Sequence, residues 1–369
     1  MKVKTGKLMS SLLRAGTRSA KLFVAVSKAA AEAAAPPKPK TRKRKAAVKP
    51  RATGGTRVGA SAAVAPAPEF ASAVAPGKWL SSHVPAAGGK RMNYWLYLPN
   101  SRAENLPLVV MLHGCQQTAT QFAQGTRMNL MAEEVGHAVV YPQQLLSSHP
   151  QRCWKWYDRD TQHGGGDVPT IVGIVHRVMT QYPVDRSRIY IAGISAGAGM
   201  ANIVALNHPH LFAAVGLHSG PVFGAGHNTL GALSVMKNGA PGMRPDLAVQ
   251  EILQRHPEFP GMPAILLQGE GDGVVHPINQ AQLMRQSLQL NRLAGLAKIT
   301  HKPRGRGGSR NAHQLHEFYE GRKPILRVVQ IEQLEHAWSG GDPALSFNQR
   351  AGPDASRMML EFFRHHQRV

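Results

Sequence analysis

Ser195 lies in Gly193-Ile194-Ser195-Ala196-Gly197, between the apolar run Ile189–Ala192 and an Ala, Met and Ile-rich run ending at Leu206. The order reads as strand, sharp turn, helix. A serine at such a turn is held in strained backbone geometry with its hydroxyl pushed above a sheet. Both glycines are needed because a Cβ at either flank would clash with the neighbouring strand or helix. The competing reading is a Gly-rich connection with an idle serine. A serine hydroxyl is a poor nucleophile until an imidazole takes its proton and a carboxylate fixes that imidazole's tautomer. In this architecture the acid follows the serine in sequence and the histidine comes last. The run Ala264–Leu267 leads into Gln268-Gly269-Glu270-Gly271-Asp272, and Leu326–Ile331 leads into Leu334-Glu335-His336-Ala337-Trp338-Ser339-Gly340-Gly341. Ser195, Asp272 and His336 are therefore the expected nucleophile, acid and base.

Rivals exist for each place. Glu270 competes as the acid, but Asp272 precedes Gly273-Val274-Val275, a turn into apolar packing that suits a buried carboxylate. His276 lies too close to the acid to be its independent partner. His218 opens the loop after its strand and reads as a supporting or substrate-pocket residue, while His313 and His316 read as solvated or structural. An oxyanion needs two aimed backbone N–H groups. Ala196, after the nucleophile, supplies one. Cys115, in the loop after Leu106–Leu112, is the best candidate for the other, with Gln116 next; His113 is expected to orient that loop. No HExxH or paired-cysteine spacing supports a metal, and no cofactor is called for.

Cys153-Trp154-Lys155-Trp156-Tyr157 sets three aromatics beside one thiol. Trp154 and Trp156, with Trp338 near the histidine, are candidate walls for an acyl or aryl group, core packing being the plain alternative. The chain has two cysteines, which form either one bridge or a pair of buried small hydrophobes. A Cys115–Cys153 bridge would pin the aromatic loop against the oxyanion loop.

The elements that must position these groups begin near Lys90. Strands are expected at Tyr94–Leu98, Leu106–Leu112, Ala138–Tyr141, Ile189–Ala192, Ala213–Leu217, Ala264–Leu267 and Leu326–Ile331. Helices are expected at Thr118–Val135, Val168–Tyr182, after Ser195, at Ile278–Leu293 and at Ala355–His365. Such alternation argues an α/β fold with a mostly parallel sheet covered on both faces and ligands at the strands' carboxyl ends. Gly220–Phe259 reads as an irregular excursion over the site, and Lys302–Arg310 as a basic flexible insertion.

The formal charge of +23 is uneven. Residues 1–52 hold 15 Lys/Arg and one acid, giving 15 − 1 = +14, and the remainder holds 29 basic and 20 acidic side chains, or +9. Residues 1–87 are expected to form a basic, largely disordered arm and linker, and 88–369 a catalytic domain. Within the arm, residues 7–31 have Lys7, Arg14, Arg18, Lys21 and Lys28 on one helical side and Met9, Leu12, Leu13, Ala20 and Phe23 opposite. A surface-seeking amphipathic helix, a poor secretory signal and a solvated tail all remain open. Pro36–Arg51 cannot form a core. The arm suits an anionic surface, a granule or a polyanion, but no aromatics interleave its charges, so sequence-specific nucleic-acid reading is unsupported. No run approaches the 18 apolar residues of a membrane span.

The blocks Leu112–Cys115, Gln151–Trp154, Gly193–Gly197, Leu217–Gly220, Val275–Asn279 and His336–Gly341 resemble the polyhydroxybutyrate depolymerase-like esterases, α/β hydrolases allied to feruloyl and acetylxylan esterases. The resemblance covers roughly Lys90 to the C-terminus. It implies a serine esterase on short-chain hydroxyalkanoate polyesters or their oligomers, with Ser195, Asp272 and His336 as the triad. Many such proteins are extracellular or periplasmic; a cytoplasmic, granule-associated protein is the alternative. A feruloyl or acetylxylan-type esterase is the second reading, and a surface- or polyanion-binding protein with a vestigial hydrolase fold the third.

Overall fold

The computed structural model describes residues 75–100, 104–293, 298–304 and 312–368. Strands β1 (Lys78–Ala86) and β2 (Lys90–Leu98) form an antiparallel hairpin across a one-turn 3-10 helix at Ala87–Gly89. There follow β3 (Leu106–Leu112), α1 (Ala119–Thr126), α2 (Met128–Val135), β4 (Ala138–Pro142), α3 (Arg159–Gln162), α4 (Val168–Gln181), β5 (Val184–Ile194) and α5 (Ala196–Asn207). Then come β6 (Ala214–His218), α6 (Thr229–Asn238), α7 (Arg244–Arg255), β7 (Ala264–Gly269), α8 (Ile278–Leu290), β8 (Lys298–Arg304), β9 (His313–Glu320) and β10 (Lys323–Ile331). A two-residue ladder of β11 (Trp338–Ser339) and β12 (Asn348–Gln349) precedes α9 (Ala355–Phe363).

Among the described residues the main sheet runs β1-β2-β4-β3-β5-β6-β7-β10-β9-β8. Every pairing from β4 to β10 is parallel, and the two edges are antiparallel. The central strands are apolar throughout because helices cover both faces: all of β3, β6 and β7 is buried. Alternate residues of β3 feed two cores. Leu108, Val110 and Leu112 join the core with α4, α5 and α8, whereas Val109 and Met111 join that with α1, α2 and α9. Burial of one such side chain stabilises the fold by about 1.5–3 kcal/mol, so these two layers dominate the sheet's stability.

Four expectations need correction. The folded part starts before residue 88: β1 is hydrogen-bonded into the sheet from Lys78. Its Ser, His and Pro residues and its mostly exposed or half-buried pattern hide an edge strand in a segment that reads as linker. The single helix over 118–135 is two, because Arg127 takes a left-handed conformation (φ 56°) between them. Gly220–Phe259 is not irregular; α6, capped by the Asn228 side chain on the Gly231 amide, and α7 lie within it. Part of the expected basic insertion belongs to β8, paired antiparallel with β9. The arm over 1–74 and the basic run over 305–311 lie outside the described residues.

Candidate active site

The serine turn is built by close backbone approach. A Cβ on Gly193 would meet the Gly197 backbone at 2.5 Å and the Leu112 carbonyl at 2.6 Å. One on Gly197 would run into the Leu112 carbonyl and lie 2.5 Å from that of His113. β5 and α5 therefore pack against the end of β3 with no room for a methyl group. Ser195 takes φ 56° and ψ −123°, a conformation that costs about 1–3 kcal/mol for a residue with a side chain. Two bonds hold it: its amide donates to the His218 carbonyl (3.0 Å), and its carbonyl accepts from the Gly199 amide (3.1 Å). Ser195 is half-buried at the head of α5, so the positive end of that helix lies beside its hydroxyl.

The loop after β3 is held just as tightly. The Gly114 amide donates to Gln117 Oε1 (2.8 Å). His113 Nδ1–H donates to the Gly114 carbonyl (2.8 Å), leaving Nε2 to accept from the Gln144 amide (3.1 Å). Burial pushes the His113 imidazole down to about 4, so this neutral tautomer persists. His113 thus braces the loop and is no free base. Gln116 is not an available oxyanion donor: its amide, at φ 65°, is spent on the Gln151 carbonyl at 2.7 Å. The Cys115 and Ala196 amides have no hydrogen-bond partner among the described residues. Cys115 and Cys153 are disulfide-bonded, with Cα atoms 4.3 Å apart, which ties this loop to the aromatic segment.

On the far side, Asp272 is 3% exposed and its carboxylate accepts four hydrogen bonds. Oδ1 takes the Val274 and Val275 amides (2.9 Å each), and Oδ2 takes Gln268 Nε2 and His336 Nδ1 (2.9 Å each). Burial alone would raise its pKa, but the facing His336 imidazole and the amide donors outweigh that and hold it below the usual carboxylate value. Glu270 is exposed, and the carboxylate that meets the His336 imidazole is that of Asp272. With Nδ1–H spent on Asp272, Nε2 is the ring nitrogen of His336 left with its lone pair. Ser195 follows β5, His218 ends β6, Asp272 follows β7 and His336 follows β10, and these four strands are neighbours in the sheet. The fold therefore gathers the three groups at one end of it.

The aromatic and His218 candidates do not line the site. Trp154 and Trp338 are fully buried, as is His218, and Trp156 is 3% exposed. Trp154 Nε1 donates to the His113 carbonyl (3.0 Å), so it props the oxyanion loop from beneath. Trp338 Nε1 donates to Ser356 Oγ (3.2 Å), fastening the histidine loop to α9. Trp156 packs its Cβ against Gly199 of the serine helix. Their apolar bulk outweighs any reason to face substrate. Sequence reasoning assigned no role to Gln117, Gln268 and Ser339, although the last two lie in the runs that carry Asp272 and His336; their contacts hold the loops around the site. Among the described residues no three His, Cys, Asp or Glu cluster to hold a metal, and no helix is long and apolar enough to cross a membrane.

A strained serine turn and a buried carboxylate–imidazole pair, at one end of a mostly parallel sheet covered on both faces, define an α/β hydrolase. The Esterase PHB depolymerase family matches residues 92–314, more than half of the chain, and the protein belongs to that family. The match includes Ser195 and Asp272 and stops short of His336. Poly(3-hydroxyalkanoate) depolymerase C of Paucimonas lemoignei is 29% identical over 258 residues, 69% of this chain and 60% of that protein. The probable acetylxylan esterase A of Aspergillus fumigatus is 36% identical over 128 residues, 34% of each chain. The aligned segments thus span about a third to three-fifths of these relatives' length. Among solved structures, an acetyl xylan esterase from Aspergillus awamori superimposes with TM-score 0.59 at 20% identity, covering 78% of this chain and 99% of that one, a likeness of fold.

Proposed function

We propose that this protein is a serine esterase that hydrolyses short-chain hydroxyalkanoate polyesters or their oligomers. The observation that carries the reading is the Asp272–His336 hydrogen bond beside the strained Ser195 turn. His336 Nε2 removes the Ser195 hydroxyl proton as Oγ attacks the ester carbonyl. The tetrahedral oxyanion is met by the Ala196 and Cys115 amides. Collapse expels the alcohol, which takes the proton from His336, and leaves an acyl-serine. Water, deprotonated by His336, then attacks the acyl carbon; the carboxylic acid leaves and the proton returns to Ser195 Oγ. Asp272 holds the imidazole in the tautomer this requires.

Ser195→Ala is expected to abolish release of p-nitrophenol from p-nitrophenyl butyrate while the circular dichroism spectrum stays that of the parent. Retention of most of the activity would refute the assignment. The likeness to acetylxylan esterases supports a second reading, esters on plant polysaccharide. Turnover of 3-hydroxybutyrate oligomers well above that of acetylated xylan and methyl ferulate favours the first; the reverse order favours the second. The arm, with +14 over residues 1–52, is proposed to attach the enzyme to an anionic surface or granule. Removing residues 1–74 should leave turnover of soluble ester intact and reduce only attachment.

A further inference from the structure

His218 is a fully buried residue that touches both halves of the site, one through its backbone carbonyl and the other through its ring. It ends β6, between the strand that presents Ser195 and the strand that presents Asp272. Its carbonyl accepts the Ser195 amide at 3.0 Å. Its ring reaches the other way: Nε2 accepts the Ser339 amide at 3.2 Å, with Ser339 Oγ at 3.4 Å. Because an amide can only donate, Nε2 is unprotonated and Nδ1 carries the hydrogen, donated to Ser219 Oγ at 3.1 Å. The ring also stacks on Trp338, centroids 5.1 Å apart and planes 25° apart. Ser339 and Trp338 lie three and two residues after His336. One residue therefore fixes the nucleophile's backbone through its carbonyl and the base's loop through its ring.

The structure assigns to His218 the role of a positioning residue: its Nε2 acceptor sets the His336 loop at a fixed distance from the Ser195 turn. This deepens the esterase reading and rests on it for its kinetic consequences. The charged and titratable groups near the ring are Asp272, which favours its protonation, and His336, which opposes it; full burial dominates and pushes the imidazole down to about 3. The ring therefore stays neutral and keeps its acceptor at neutral pH. A protonated ring could not accept from Ser339, and the loop would lose its tether.

The test compares His218→Phe, which keeps ring bulk and stacking but has no acceptor, with His218→Gln, whose Oε1 can accept from the Ser339 amide. Ser219→Ala, which removes only the partner of Nδ1, is a milder third variant. In the full chain with p-nitrophenyl butyrate, His218→Phe is expected to lower kcat about 10- to 100-fold with KM within about twofold, the loss due to one buried hydrogen bond in a strained site. His218→Gln should recover most of that loss, and Ser219→Ala should fall between. Amide hydrogen exchange across residues 334–342 supplies a readout independent of turnover: faster exchange in the Phe variant than in the parent and the Gln variant. Equal kcat in the Phe and Gln variants, or unchanged exchange in the Phe variant, overturns the proposal. If the parent shows no turnover while the exchange difference stands, the esterase reading fails and the positioning role survives. Should His218→Phe not fold, His218→Leu, which likewise has no acceptor for the Ser339 amide, carries the same kinetic and exchange tests.

Discussion

The two sides of the site are held by different means. On the serine side the restraint is mainly backbone against backbone: Gly193 and Gly197 under the end of β3, a strained φ at Ser195, and a disulfide across the oxyanion loop. On the histidine side every bond runs through at least one side chain: Gln268 and His336 on Asp272, the His218 ring on the Ser339 amide, Trp338 on Ser356. Backbone packing is all or none, because a methyl group either fits or does not. A side-chain network is graded, since each bond removed costs on the order of 1–3 kcal/mol. The lesson is that the nucleophile's place is set once by the fold, while the base's place is tuned by several separable contacts.

Asp272→Asn breaks the graded side at its centre. The amide would keep the shape but favour the wrong imidazole tautomer, so kcat should fall about 10³- to 10⁴-fold with the fold retained. Glu270→Gln, exposed and outside the cluster, should change kcat less than twofold. Comparable losses in the two variants would mean that the acid has been misplaced. A disulfide-free Cys115→Ser/Cys153→Ser enzyme sharpens the comparison from the serine side. The bridge closes a loop across a separation of 38 residues, so its loss should cost about 2–4 kcal/mol of stability. It should also reduce kcat about tenfold by loosening a loop that presents an oxyanion donor, a fraction of the 10²- to 10³-fold seen when such a donor is lost outright. An unchanged kcat would show that Gln117, His113 and Trp154 hold the loop without it.

A further effect concerns something both sides share, a buried neutral histidine. His113 braces the serine side and His218 the histidine side, and His137 and His366 are buried elsewhere. Burial lowers the four to about 4, 3, 4 and 3 respectively. The unfolded chain takes up a proton at each near pH 6.5, whereas the folded chain does not until far lower. Their stabilisation is therefore complete above about pH 6.5 and is lost as pH falls towards 4 and then 3. The limiting slope is about 1.4 kcal/mol per pH unit for each histidine. The urea midpoint should accordingly drop between pH 7 and pH 5. A midpoint that holds or rises over that interval would contradict neutral burial of these rings.

Much of this was legible from residue order. The apolar run into Gly-x-Ser-x-Gly, the Gly-rich turn holding Asp272 and the block around His336 follow from local rules, because a sharp turn, a buried strand and a helix start each demand particular residues in immediate succession. The edge strand Lys78–Ala86 was not legible, since an exposed strand needs no apolar alternation. The break falls on Arg127, which has no turn preference of its own, while Gly125 two positions earlier stays helical. The tryptophans were misjudged for a related reason: a Trp in a loop looks the same in sequence whether its ring faces a ligand or, like Trp154, a carbonyl beneath the loop.

The chain by itself thus determined which chemistry was available and in what order its parts come, because bond-forming groups and the turns that bear them are properties of neighbouring residues. Only the tertiary structure decided which carboxylate meets the imidazole, that the Gln116 amide is already taken, and that His218 spans the two halves of the site. Those facts depend on contacts between residues tens to more than a hundred positions apart. Burial sets them by forcing each enclosed polar group to find a partner wherever the fold has placed one.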